Sequence, residues 1–242
     1  CRHCFRRDFI QSNSNEFTNR DLEDACAYLG DNPNVHEILL SGGDPLTLKP
    51  ARLEYLLSKI KECRPDIIIR IGTRVPIVDP EKITIEVTDI LKKAAPVWLS
   101  LQCNHPDELT NEVKIATSLL NQSGIHLLNQ SVLLKDINDS LPVLKKLSHK
   151  LVDFNIKPYY IFQGDLAKGT SHFRVPISKG LLLMKELRSE VSGIAMPLYA
   201  VDIPSGGGKI PLNMDYIDKI DNDFYYLKNS SGFVGKYPRE EL

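Results

Sequence analysis

The 242-residue chain is 42% hydrophobic and 25% charged with a net charge of -1, an ordinary balance for one globular unit. Lys and Arg are spread among Asp and Glu, so no basic footprint points to nucleic acid or an anionic membrane as a partner. No apolar run approaches the roughly 18 residues that cross a bilayer, no signal peptide is recognisable, and five irregularly spaced cysteines argue against a disulfide framework and for a reducing, cytoplasmic setting.

The chain opens on Cys1 rather than Met and reads as a fragment. A Cys-x-x-Cys pair, Cys1 and Cys4, comes first, followed by Phe5-Arg6-Arg7. A helix is predicted at about 20–29, with Thr18 as its start signal ahead of Asp21. The run 36–44 then reads as a strand ending in the turn Gly42-Gly43-Asp44.

Further strands are predicted at 67–74, 97–103, 126–134 and 157–165, each nearly continuous in apolar character, as strands covered on both faces are. Helical patterns alternate with them at about 50–63, 84–94, 108–123, 140–154 and 178–190, with Ser140 and Ser178 as start signals. A strand-like run at 194–202 leads into a glycine cluster, and a hairpin around Ser231-Gly232 is predicted within 224–237. Alternating strands and helices imply right-handed βαβ units on a parallel sheet. No linker or repeat divides residues 1–242, which read as a single domain.

In such sheets, polar residues at the C-terminal strand ends gather on one face, where ligands bind. Here those ends carry Gly42, Gly43, Asp44, Arg74, Gln102 to His105, Gln130, Asp165 and Asp202. Two thiolates spaced as Cys1 and Cys4 suit zinc, an iron–sulfur cluster or redox chemistry. Glycines after a buried strand let the backbone approach a ligand, and Asp44 adds an acceptor suited to an ammonium. The cluster Ser205-Gly206-Gly207-Gly208-Lys209 lacks phosphate-loop spacing, because Ile210 follows the lysine, but a lysine entering a water-poor site can act as a nucleophile. Cys26 and Cys63 fall in helical patterns and read as small core residues, and Cys103 reads as a packing residue at a strand end.

The segments CRHCFRR, LSGGDPL, LLNQSVLL, PYYIFQGD, HFR and VDIPSGGGKIP, in this order along nearly the whole chain, resemble the lysine 2,3-aminomutase family of radical S-adenosylmethionine enzymes. The resemblance implies an open, partial (β/α)6-type radical SAM barrel with a C-terminal extension. It also implies three cofactors: a [4Fe–4S] cluster, S-adenosylmethionine and pyridoxal 5'-phosphate. Cys1 and Cys4 match the second and third cysteines of the family's three-cysteine motif. The turn Gly42-Gly43-Asp44 matches the segment that contacts the methionine part of S-adenosylmethionine, and Gln130 is a further candidate contact. Lys209 matches the lysine that holds pyridoxal phosphate as a Schiff base.

Arg6 matches the arginine that binds the substrate carboxylate, and Asp165 and Asp202 match the acids that neutralise the distal ammonium of lysine. The activity implied is conversion of L-lysine to β-lysine, with flavodoxin or ferredoxin as electron donor. An elongation factor P-associated lysine branch and glutamate or arginine aminomutases are the near alternatives. Outside the class stand a zinc or redox module and a degenerate barrel that only binds the cofactors. The oligomeric state, a homo-oligomer included, is left open. The chain departs from the family at Ser140, where dimer-forming members place a zinc-binding cysteine, at Gln102, where histidine is frequent, and at Phe162, which replaces a tyrosine.

Overall fold

The computed structural model describes residues 1–4, 17–203, 207–213, 215–229 and 232–239. Six strands, β1 (Glu37–Leu40), β2 (Ile68–Thr73), β3 (Val97–Leu101), β4 (His126–Val132), β5 (Lys157–Phe162) and β6 (Leu198–Ile203), lie side by side in chain order, all parallel. A seventh, β7 (Gly208–Pro211), returns antiparallel on β6, so β1 and β7 are the two free edges of an open barrel.

Helices α1 (Asn19–Asp31), α2 (Pro50–Cys63), α3 (Ile85–Lys93), α4 (Asn111–Gln122), α5 (Leu141–Asp153) and α6 (Ile177–Glu190) precede or link the strands. Each covers the sheet with one apolar stripe, such as Leu53, Leu56, Leu57 and Ile60 of α2 at i, i+3, i+4 and i+7. They meet a row of fully buried strand residues that includes Ile69, Ile71, Leu99 and Leu101.

Helix starts follow local chemistry unevenly. Thr18 forms a complete capping box with Asp21 on α1, as the sequence predicts. Ser140 is the N-cap of α5, yet its side chain makes no capping bond. Ser178 is inside α6, which begins at Ile177 after Pro176. At 108–123 the chain first makes a short 3-10 turn, Pro106–Glu108, before α4 starts at Asn111 behind the Thr110 cap.

The strands differ from the expectation in one respect. On β2 and β4 only alternate residues are fully buried. On β2 the alternate residues Ile68, Arg70 and Gly72 remain partly open, and on β4 His126 is exposed while Gln130 is half-buried. The apolar runs hide a concave face that is polar and accessible, and that face is where the strand-end residues collect.

The tail forms more than a hairpin. Strands β8 (Ile217–Ile220), β9 (Phe224–Lys228) and β10 (Val234–Pro238) make a separate antiparallel sheet with β9 in the centre. Position 231 of the predicted turn lies outside the described residues.

Candidate active site at the strand C-terminal ends

Two groups of residues occupy the mouth. The first is at β1 and β2. Gly42, with φ at 138°, opens the turn after β1, a conformation that L side chains rarely adopt. A Cβ placed on Gly42 or Gly43 would meet no atom within 4 Å, so their backbone faces open space. Asp44 does not offer its carboxylate to that space alone. Oδ1 accepts from Leu46 N (3.1 Å) and Thr73 Oγ1 (2.7 Å), and Oδ2 accepts from Arg74 N (2.6 Å). The aspartate thereby caps the 3-10 turn Pro45–Thr47 and ties the β1 exit to the end of β2.

Arg74 continues this chain of contacts. Its Nη1 donates to Cys1 Sγ at 2.9 Å, and its Nη2 pairs with Glu108. Glu108 is itself fixed by the backbone N–H groups of Asn104 (2.7 Å) and His105 (2.9 Å). The cysteine turn, closed by Cys4 N donating to Cys1 O at 3.2 Å, therefore sits against the ends of β2 and β3. Neither Cys1 nor Cys4 is in a disulfide. Among the described residues no group of three or more His, Cys, Asp or Glu could hold a metal ion. The cysteine pair offers two soft ligands. Arg6 lies outside the described residues.

Between the two groups, the exits of β3 and β4 are held by a buried network. Asn129 accepts from Cys103 N (2.9 Å) and donates to Cys103 O (3.0 Å), and Ser131 donates to the same carbonyl (2.7 Å). Burial pushes the Cys103 thiol up to about 12, which leaves it an inert packing group. A register shift between Asn129 and Gln130 places Gln130 opposite Tyr160, and its Oε1 accepts from Gln102 Nε2 at 3.4 Å.

The second group is at β5 to β7. Gly208, at φ 79°, begins β7, and the antiparallel register sets Lys209 opposite Asp202. Lys209 Nζ donates to both Asp202 oxygens, at 3.0 and 3.1 Å, and lies 3.8 Å from the centre of the Phe162 ring. Phe162 stacks on Tyr160 (5.0 Å, 23°), giving the amine an aromatic floor. Asp165, just beyond β5, has its carboxyl raised from the ordinary value, first by burial and then by the Asp202 charge, with Lys209 opposing. The structure therefore brings Asp165, Asp202 and Lys209 into one electrostatic group. The sequence places Lys209 in a glycine loop, whereas it stands on a strand.

These residues fit, in kind, what three cofactors would need. Cys1 and Cys4 suit two irons, the open Gly42-Gly43 backbone suits close approach of a small ligand, and Lys209 presents an amine over a flat aromatic surface. The site residues that sequence reasoning passed over are Glu108 and Tyr160, whereas Arg74, named there as a strand-end residue, proves to be the connector. Only their strand-end or loop positions could have flagged the first two.

Residues 1–140 match the Radical SAM superfamily model. The chain belongs to the radical SAM superfamily.

Residues 184–241 of this radical SAM chain match a second family model, described as Lysine-2,3-aminomutase. The chain is 42% identical to the L-lysine 2,3-aminomutase of Acetoanaerobium sticklandii over 98% of its own length and 57% of the relative's. It is also 42% identical to that of Bacillus subtilis, over 100% and 51%. A glutamate 2,3-aminomutase of Clostridioides difficile is 39% identical over 99% and 57%. The chain spans a little over half the length of these curated relatives.

Among solved structures, Streptococcus suis SuiB bound to S-adenosylmethionine matches with a TM-score of 0.57 at 14% identity, covering 84% of this chain and 47% of that one. A radical SAM methyltransferase from Sphaerobacter thermophilus also gives 0.57 at 14%, covering 81% and 62%. Both likenesses concern the fold, and they agree with the open barrel described above. Superfamily membership implies S-adenosylmethionine and a [4Fe–4S] cluster, and the aminomutase likeness implies pyridoxal phosphate. No described helix is long and apolar enough to cross a membrane.

Proposed function

We propose that residues 1–242 are the catalytic barrel of an L-lysine 2,3-aminomutase, an isomerase that moves the 2-amino group of L-lysine to C3. The observation that carries this reading is the gathering of Asp165 and Asp202 around an amine above an aromatic floor. A distal ammonium gains neutralisation there when water is excluded, and a distal carboxylate, as in glutamate, meets repulsion from the same pair. The likeness to L-lysine 2,3-aminomutases over nearly all of the chain supports the same choice.

When bound, the cofactors supply a carbon-centred radical and a π system across which nitrogen can migrate. The chain's own residues have separate duties. Cys1 and Cys4 would ligate two irons. Gly42 and Gly43 offer backbone to S-adenosylmethionine, Asp44 holds their turn in shape, and Gln130, paired with Gln102, is a polar contact at the next exit. Lys209 would hold pyridoxal phosphate through Nζ. To do so Nζ must lose a proton, and Asp202, 3.0 Å away, is the nearest acceptor. Once Nζ is engaged elsewhere and Asp202 has passed that proton to solvent, its carboxylate is released to face the substrate ammonium beside Asp165. Arg6 would take the substrate carboxylate with a bidentate fork.

The setting is cytoplasmic, with a low-potential donor such as flavodoxin or ferredoxin. The deciding experiment is anaerobic product analysis of the reconstituted holoenzyme with lysine, glutamate and arginine. β-Lysine as the sole product is expected, and turnover of glutamate in preference to lysine overturns the reading. Borohydride trapping followed by peptide mapping gives a second readout, with the label expected on Lys209.

A further inference from the structure

Besides the packing residue Cys103, two thiols have no place in the chemistry above. Cys26 is in the middle of α1 and Cys63 is the last residue of α2, on the helix side of the sheet and away from the strand-end mouth. The sequence reads both as core, but Cys63 is exposed and Cys26 only half-buried. Cys26 Sγ donates to Lys59 O at 3.8 Å. That carbonyl is one helical turn before Cys63 and is the i-4 acceptor of the Cys63 backbone N–H. The Cys26 sulfur therefore lies over the turn that carries the Cys63 side chain, close enough for Cys63 to raise the Cys26 thiol. Because Cys63 ends its helix, its backbone can adjust without breaking interior helix bonds.

The two thiols are not equivalent. Burial, followed by the nearby Cys63, pushes the Cys26 thiol up to about 11, so it keeps its proton at neutral pH. Cys63 is the more open of the two to a reagent from solvent.

We propose that Cys26 and Cys63 form a reversible thiol–disulfide exchange site that takes its oxidising equivalents from low-molecular-weight disulfides and links α1 to α2. The Cys63 thiolate attacks one sulfur of the small disulfide, forming a mixed disulfide and expelling one small thiolate. That thiolate takes the Cys26 proton, and Cys26 then attacks the Cys63 sulfur and expels the second small thiolate, which is protonated from solvent by the proton Cys63 gave up. Two protein thiols are oxidised and one small disulfide is reduced to two thiols, so the exchange balances. The site is independent of the cluster cysteines and of the proposed aminomutase reaction.

The test equilibrates the protein, purified anaerobically, with oxidised and reduced glutathione at graded ratios. Free thiols are then blocked with N-ethylmaleimide and the protein is cut with trypsin. The expected product is peptide 21–52 joined to peptide 62–70, lighter than their sum by two hydrogen atoms and lost again at reducing ratios. Neither peptide contains Cys1, Cys4 or Cys103, so linkage at the cluster motif is separately visible. Cys26→Ser should accumulate the glutathione adduct on Cys63. Two separately alkylated peptides from folded wild-type protein at the most oxidising ratio would overturn the proposal, as would a glutathione adduct on Cys26 in Cys63→Ser.

Discussion

The two ends of the active-site mouth are built on opposite plans. At β1 and β2 the polar side chains are bound to one another and to backbone: Asp44 satisfies three donors, and Arg74 is locked between Cys1 and Glu108. What this end presents outward is the backbone of two glycines and a pair of sulfurs. At β6 and β7 the charged groups have few partners and face the opening, with the Lys209 and Asp202 side chains 37% and 50% exposed, against 27% and 22% for Arg74 and Glu108. A preorganised backbone cradle suits a ligand common to a whole superfamily, whereas side chains on a short antiparallel edge strand suit the choice of one substrate.

The sharpest break in this comparison is Lys209→Ala. Activity should vanish, because no other described amine lies over the Tyr160–Phe162 floor. Stability should change by no more than about 1 kcal/mol, since an exposed ion pair is worth little. Product analysis and a denaturant titration on the same preparation check both halves. A large loss of stability would show that the β6–β7 end is structural after all.

Asp44→Ala should do the reverse. It strips the acceptor from Leu46 N, Thr73 Oγ1 and Arg74 N together, and each orphaned donor in a partly buried site costs roughly 1–3 kcal/mol. A fall of about 3 kcal/mol in unfolding free energy is expected, read as a lower denaturant midpoint at unchanged slope. S-adenosylmethionine affinity should weaken with it, through a loosened glycine turn rather than a lost contact.

How much of this was legible in the sequence follows the same division. The β1 exit could be located, because two glycines after an apolar run limit what the chain can do there. The purpose of Asp44 could not, since a carboxylate in a turn looks the same whether it faces a ligand or caps a 3-10 helix. The β-strands were visible from their apolar runs, but Ile68, Arg70 and Gly72 showed only in the structure that one face stays open. Lys209 was singled out, but its strand was not, because the glycines 206–208 dominate any local reading and a four-residue edge strand has almost no periodicity. Cys63 was misread for a related reason: the last residue of a helix can leave the apolar stripe without disturbing the pattern that precedes it.

Asp165→Asn and Asp202→Asn test the substrate end more gently. In the proposed role each acid is a charge-assisted partner of the distal ammonium, worth about 1.5–3 kcal/mol, so kcat/KM for lysine should fall by about tenfold to a hundredfold per variant. The double variant should lose less than the product of the two, because the acids act on one ammonium. Neither should bring glutamate to wild-type lysine rates, as removing repulsion does not by itself supply a cation.

The smallest effect is the most specific to the geometry. Asp165 holds its proton more tightly than a free carboxyl, chiefly through burial and then through Asp202, with Lys209 pulling the other way. Ionising it as pH rises through the carboxylate range therefore costs the native state stability that the protonated form retains, and Asp165→Asn should flatten that slope. Carbon NMR of the aspartate carboxyls reads the same balance without turnover. Asp202→Asn should move the Asp165 midpoint down, towards the ordinary value. Lys209→Ala should move it further up, by removing the cation that favours the charged form. Opposite signs from two neighbours 3.0 Å apart require all three groups to share one field at the β6–β7 end. Midpoints that move together, or not at all, would mean that Asp165 stands outside the group, and substrate choice would then rest on Asp202 alone.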